Sequence, residues 1–321
     1  PTLFGIMVVN FAIIQAAPGG PVERVMARLQ GLDAGATARV GGAEGGDFTE
    51  PALGEDTASS YRGARGLDSA LIAELERQFA NQGIEFATST NVSGVRKTNG
   101  RLTVQYEVDG ANREFNCDKV LLGVGVQPNT DEIGLENLGI KTVGPGFIEV
   151  DGNMRTNVVG IYAVGDVNGK LPLAHVAFDQ GVVAAETIAG HDTTPIDNYI
   201  NMPRCTYCQP QIASTGLTEA QAREQGIDVK IGKVPFQVAG KSVAVGEPEG
   251  FAKILIDDES GEVIGAHIIG PEATELIAEI GMLQLLEGTN LELHGMTHAH
   301  PTLSEVVREA GAAITNEAIH F

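Results

Sequence analysis

Three histidines crowd one stretch near the end of the chain, LHGMTHAHPTLSE at residues 293–305. His294, His298 and His300 could do two kinds of chemistry. Spaced as HxxxHxH, neutral imidazoles could ligate a metal ion. Against this, Pro301 bars a regular helix through the segment, so no one-turn ligand geometry is assured and no metal is expected. The other chemistry is proton transfer. Imidazole titrates near neutrality, and a neighbouring carboxylate fixes its tautomer and raises its basicity. His300 and Glu305 suit that pairing. Glu305 also has a plain structural use, because Thr302-x-x-Glu305 has the spacing of a capping box. A single side chain is not expected to fill both uses fully.

A second chemical feature is IYAVGD at residues 161–166, an apolar run ending in Gly165-Asp166. In open α/β sheets ligands bind beyond the carboxyl ends of strands. Glycine lets a ligand approach the backbone there, and a carboxylate can accept from sugar hydroxyls. A simple turn is the plain alternative. The chain has three cysteines, Cys117, Cys205 and Cys208. That is too few for a secreted disulfide framework, and a reducing cytoplasm is the expected compartment. Cys205-x-x-Cys208 resembles a thioredoxin-type pair in spacing only. Strand residues three apart face opposite sides, so packing is expected of this pair and not a cross-link. Cys117, in an apolar strand, is expected to be inert.

These residues need elements to hold them. Residues 1–65 open with an apolar run at 3–17, continue with a short helix at 21–30, and otherwise show no sustained period. The apolar run contains Asn10 and Gln15 and has no basic segment before it, which suits a buried strand or helix better than a signal peptide. Residues 68–82 place Leu71, Ile72, Leu75 and Phe79 on one helical face, with Gly83 closing the helix. Short strands follow at 84–90, 93–98, 101–108 and 113–125, with hairpin turns at Asn99-Gly100 and Asp109-Gly110. The last of these ends in a buried strand, KVLLGVG. Next come the strand GIYAVGD and a helix at 178–189. The final third predicts a strand, a helix capped by Thr218 and closed by Gly226, strands at 229–238, 250–257 and 263–269, and helices at 272–287 and 302–318.

Bulk properties narrow the partners. A formal charge of −21 disfavours nucleic acid and anionic membrane surfaces. Hydrophobic residues make up 43% and charged residues 20%, which fits folded domains. No apolar run approaches the roughly 20 residues a spanning helix needs.

Five separated motifs fall in a family order: ERQFANQGIEF, LLGVGVQPNT, GIYAVGDV, IASTGLTEAQA and HAHPTLSE. From about residue 66 onward the chain resembles the pyridine nucleotide-disulfide oxidoreductases of the dihydrolipoamide dehydrogenase type. The resemblance implies an α/β plus α+β fold. It comprises a remnant of an NAD-binding Rossmann-like domain (66–125), the C-terminal part of an FAD-binding domain (126–195) and an interface or dimerisation domain (196–321). It implies that Gly165 and Asp166 hold FAD, with Asp166 on a ribityl hydroxyl and Leu173, Ala174 and His175 beside the isoalloxazine ring. Gly125, with Pro128-Asn129, matches a GRxPN-like segment, although Val126 stands where the family carries arginine. His300 becomes the base, Glu305 its support, and a homodimer the working unit, because the pair acts on a disulfide held by the other subunit. FAD and NAD are the implied cofactors, and a 2-oxoacid dehydrogenase complex an implied partner.

The sequence departs from that pattern. It holds no C-x4-C pair, and residues 1–65 hold no glycine-rich phosphate loop. Residues 1–65 are therefore expected to be an aberrant or N-terminally truncated region, such as out-of-frame translation would produce. Weak or absent activity is expected of this polypeptide alone. The competing functions are a non-catalytic dimerisation remnant without flavin and a His-based metal-binding protein. A visible spectrum of the purified protein separates the first two: a flavin band near stoichiometry marks an oxidoreductase, a colourless protein the remnant.

Overall fold

The computed structural model describes residues 68–87, 90–108 and 110–321. The expectations for residues 1–65 lie outside the described residues. The described chain divides into two compact units, one of residues 90–108 and 110–122, the other of 68–87 and 123–321.

Helix α1 (Ser69–Asn81) forms where the apolar stripe predicts it. Asp68 caps it by accepting from Ala70 N at 3.0 Å, and Gly83, at φ +80°, closes it. The smaller unit is an antiparallel meander of β1 (Asn91–Thr98), β2 (Arg101–Val108) and β3 (Ala111–Cys117). Asn99 and Gly100 both take positive φ, 52° and 82°, as a tight primed turn requires. Two expected strands are not seen among the described residues. Residues 84–87 are irregular, with Ile84 and Phe86 exposed. The run KVLLGVG is not a buried strand: Leu121 is 96% exposed and Leu122 67%. A fully apolar strand needs paired neighbours and cover on both faces. No described strand pairs with this run. Cys117 accordingly ends a largely exposed strand and not an apolar one.

The larger unit begins with α2 (Leu135–Leu138) and a two-stranded ribbon, β4 (Thr142–Val143) with β5 (Phe147–Ile148). The expected strand at 161–166 is replaced by a single bridge, Arg155 to Tyr162, and a 3-10 turn at Gly165–Asn168. Left-handed Gly165, at φ +79°, turns the backbone out of an extended path just where the strand was expected to end. Helix α3 (Ala174–Ala189) starts four residues earlier than predicted, directly after Pro172-Leu173. Pro172 cannot sit inside the helix, and nothing after it breaks one.

The rest of this unit is a five-stranded antiparallel sheet in the order β6-β7-β10-β9-β8. The strands are β6 (Arg204–Thr206), β7 (Gln211–Gly216), β8 (Val229–Pro235), β9 (Phe251–Asp257) and β10 (Val263–Gly270). Helix α4 (Glu219–Glu224) opens with the capping box of Thr218 and Gln221. Helix α5 (Gly240–Val245) follows β8. Helices α6 (Ala273–Leu285), α7 (Asn290–Gly295) and α8 (Glu305–Ala313) complete the unit. Side chains alternate along the central strands. Ala252, Ile254, Ile256, Ala266 and Ile268 join Ile277, Ile280, Val306, Val307 and Ala310 in the main core. Phe251 and Ile269, on the opposite face, pack with Leu71 of α1. No described helix is long and apolar enough to cross a membrane.

Between Phe251 and Leu255, and on the same side of β9, lies Lys253, 3% exposed. Its Nζ meets Asp68 Oδ2 at 2.8 Å and also contacts Glu219. Burial pushes the Asp68 carboxyl up, but the hydrogen bond and charge of Lys253 outweigh it and the net shift is downward. A depressed carboxyl stabilises the fold above its unfolded value, near 3.8, and this contribution is lost as pH falls through the lower folded value. Asp68→Asn should therefore lower stability at neutral pH and flatten the acid limb below about pH 4, read from urea midpoints across pH. A second constraint is Gly232 of β8, where an added Cβ would lie 1.8 Å from Ala310 O of α8. Gly232→Ala should cost about 1–3 kcal/mol by forcing α8 off the sheet, read from the same midpoints.

Candidate functional site

Helix α8 delivers Glu305 as its first residue, and its seat is fixed by Val306, Val307 and Ala310 in the main core. The irregular stretch 296–304 brings His300 alongside. His300 Nδ1 lies 2.9 Å from Glu305 Oε1. The other carboxylate oxygen, Oε2, accepts from Thr302 N at 2.9 Å. As expected, one side chain does not fill both uses fully: each oxygen takes one task. Only half the capping box forms, because the N-cap is Ser304 and Thr302 Oγ1 turns to Ala299 O. Burial alone would push the Glu305 carboxyl up. The Thr302 N–H, then the His300 hydrogen bond and charge, then His320, hold it below the ordinary carboxylate range.

The imidazole of His300 is 73% exposed against 16% for the Glu305 carboxylate. A largely buried acceptor thus fixes a ring whose Nε2 edge faces outward. The other two histidines have carboxylates of their own. His298 Nε2 is 2.8 Å from Glu279 Oε1 on α6, with its side chain 2% exposed. His294 Nε2 is 3.8 Å from Glu317. Among the described residues no group of three or more His, Cys, Asp or Glu is placed to hold a metal. Sequence reasoning missed Glu279, which lies 19 residues before His298 and shares no motif with it. It also missed Glu309, almost fully buried on α8. This carboxylate accepts from Ile319 N and His320 N, both at 2.8 Å, and binds Arg308 at 2.9 Å. The C-terminal residues are thereby held beside the histidines.

The two cysteines of Cys205-x-x-Cys208 are free, and strand β6 ends at Thr206, so they do not lie on one strand. Cys205 packs on the main core and Cys208 on the cluster around Leu71. Burial pushes both thiols up, which suppresses the thiolate.

The Gly165-Asp166 turn is a separate construction. Buried Gln180 of α3 holds it: its Oε1 accepts from Gly165 N at 2.7 Å and Asn168 Nδ2 at 2.9 Å, and its Nε2 donates to Tyr199 Oη at 3.0 Å. A Cβ on Gly165 would come 3.3 Å from Ala177 Cβ, so glycine lets the turn lie on α3. The turn leaves Asp166 exposed. Helix α3 opens at Leu173 with no side-chain cap. The first N–H groups, on Ala174, His175 and Val176, therefore carry positive end-charge without an intrahelical partner. The His175 ring is taken up elsewhere, at 2.9 Å from Pro203 O. An exposed carboxylate and a set of uncapped helical N–H groups are what a ligand offering hydroxyls and an electron-rich group would need. Gly125 sits at φ +98° in the exposed stretch after β3.

Comparison with known proteins places the chain. Residues 57–181 match the family model described as pyridine nucleotide-disulphide oxidoreductase, and residues 202–311 match the dimerisation domain of the same family. The chain belongs to the pyridine nucleotide-disulphide oxidoreductases. Among curated relatives, dihydrolipoyl dehydrogenase of Mycobacterium leprae (strain TN) is 42% identical over 254 residues, covering 79% of this chain and 54% of that one. That of Bacillus subtilis (strain 168) is 41% identical over 256 residues, with the same coverages. Among solved structures, LpdA from Mycobacterium tuberculosis superposes with a TM-score of 0.70 at 30% identity, covering 76% of this chain and 52% of that one. The flavoprotein disulfide reductase RclA from Escherichia coli, at 22% identity and a TM-score of 0.71, covers 78% and 56% and shares the fold. The chain spans about half the length of the curated relatives it matches. Family membership implies FAD and NAD as cofactors. Gln180→Ala, which strips Gly165 N and Asn168 of their acceptor, should cost about 1–3 kcal/mol and speed amide exchange at residues 165–169. Hydrogen-exchange mass spectrometry reads this directly.

Proposed function

We propose that this chain supplies the acid–base half of a dihydrolipoyl dehydrogenase site, in which dihydrolipoamide is oxidised and NAD+ reduced. One observation carries the reading: an exposed imidazole whose Nδ1 is fixed by a largely buried carboxylate, leaving Nε2 facing outward. Glu305 accepts a hydrogen bond from Nδ1–H, so Nε2 carries the lone pair. That atom can take the proton of a substrate thiol and return it. The positive charge then gained by the ring is stabilised by Glu305, already held ionised by Thr302 N–H. The nascent thiolate needs a disulfide to attack, and none of the three cysteines of this chain has the C-x4-C spacing of the family pair. A second copy of this sequence lacks that pair too, so the disulfide has to come in trans from a family chain that carries it, with His300 of this chain serving it. The family match to a dimerisation domain supports dimer formation.

FAD, when bound, supplies the electron-carrying chemistry between thiols and NAD. Asp166 would hold its sugar-like chain, and the backbone at Leu173, Ala174 and His175 would border its ring, with Gly165 allowing the close approach. Gly125 belongs to the same proposed set through the GRxPN-like segment. The boundaries 66–125, 126–195 and 196–321 divide this proposed enzyme into NAD, FAD and interface parts. A 2-oxoacid dehydrogenase complex as partner and the cytoplasm as compartment go with this reading. The three free cysteines support the latter.

The test is dihydrolipoamide-dependent NAD+ reduction by a mixed, flavin-loaded dimer of this chain with a full-length dihydrolipoyl dehydrogenase that carries the C-x4-C disulfide but lacks its own base. His300→Gln should lower kcat about 10²–10⁴-fold, the usual contribution of a positioned general base, with Glu305→Gln intermediate. Unchanged turnover in His300→Gln would sink the assignment.

A further inference from the structure

His300 stands in a stretch with no regular structure, so its distance from Glu305 depends on what anchors that stretch. One end is secured by Glu305 itself, on a helix seated in the core. The anchor on the other side is His298. Its ring is almost wholly buried, although the residues flanking it, Thr297 and Ala299, are exposed. Nδ1 lies 3.1 Å from Met296 O, and Nε2 lies 2.8 Å from Glu279 Oε1. A carbonyl can only accept, so Nδ1–H donates to Met296 O, and Nε2 meets Glu279 across a single shared proton. Both ring edges are thus spoken for, one closing the loop on itself and one tying it to α6.

Glu279 is well placed for this. It lies next to Ile280 of the main core, and its side chain is only 24% exposed. A charge-assisted bond at such a site is stronger than one in open water. The other charged or titratable groups around this hollow are already engaged or stand at its rim: Glu305 with His300, Arg308 with Glu309, His294 near Glu317, and His320 at the tail.

We propose that Glu279, acting through His298, is a positioning residue for the His300–Glu305 pair: it sets where the His300 ring stands, without touching substrate. This rests on the reading of His300 as the base, and the two can fail separately. The readout is the tautomer of the neutral His300 ring, taken from ring ¹⁵N shifts in the full chain. The wild type should hold the proton on Nδ1, and Glu305→Ala should release it. Glu279→Ala should move the His300 signals most of the way to the Glu305→Ala spectrum. Glu279→Gln, which keeps a hydrogen-bonding group of the same length, should restore them. Glu279→Asp, too short by one methylene to reach His298, should behave like Glu279→Ala and serves if the alanine variant does not fold. His300 signals unchanged in the folded Glu279→Ala or Glu279→Asp protein, while Glu305→Ala shifts them, would overturn this proposal alone. If Glu305→Ala leaves them unchanged, the acid–base reading falls, and this proposal with it.

Discussion

Both faces of strands β9 and β10 are covered, and most of the larger unit follows from that. With α6 and α8 on one side and α1 on the other, buried side chains on these strands are either apolar or hold a polar partner. Lys253 is matched by Asp68 and Glu219, and His267 at its Nε2 alone by Leu217 O at 3.0 Å, its Nδ1 having no partner among the described residues. A buried ammonium left without its carboxylates would be strongly destabilising, so the ion group ties α1 and α4 to the sheet. The same double cover leaves α8 one seat, against β8 and β9, where Gly232 lets the helix backbone come close. The first residue of that helix is Glu305, so the sheet that forms the core also aims the candidate acid–base pair.

The histidine-rich end shows how one cluster can hold rings in different states of freedom. His298 and His300 each have a carboxylate within hydrogen-bond distance, and His294 has one just beyond it, yet only His300 is largely exposed. Burial separates their uses. A ring bonded at both nitrogens is an anchor, whereas a ring bonded at one and open at the other can exchange a proton. The surplus of carboxylates that makes the chain so acidic is therefore partly spent inside, orienting imidazoles.

The Gly165 turn follows a different logic. Its geometry comes from Gln180 reaching back from α3, and from a left-handed glycine that allows the turn to lie on the helix. The uncapped start of α3 and the exposed Asp166 point away from this buried network. In this turn the polar groups facing inward are paired, and Asp166 faces outward without a bond to that network.

The sequence by itself determined what depends on neighbouring residues. The stripe of Leu71, Leu75 and Phe79 specified α1. Thr218 specified the start of α4 and Asn99-Gly100 the hairpin. The octet HAHPTLSE was enough to single out His300 and Glu305. Only the tertiary structure decided which contacts join residues far apart in the chain. Glu279 meets His298, Gln180 holds Gly165, and Glu309 holds the tail, none of them at a spacing that local periodicity encodes. It also decided that KVLLGVG and GIYAVGD are not strands. An apolar run becomes a strand only where other strands offer it hydrogen bonds, and no composition of the run itself can supply them. For Glu305 the octet named the residue, and the fold showed how its two oxygens divide between a helix start and an imidazole.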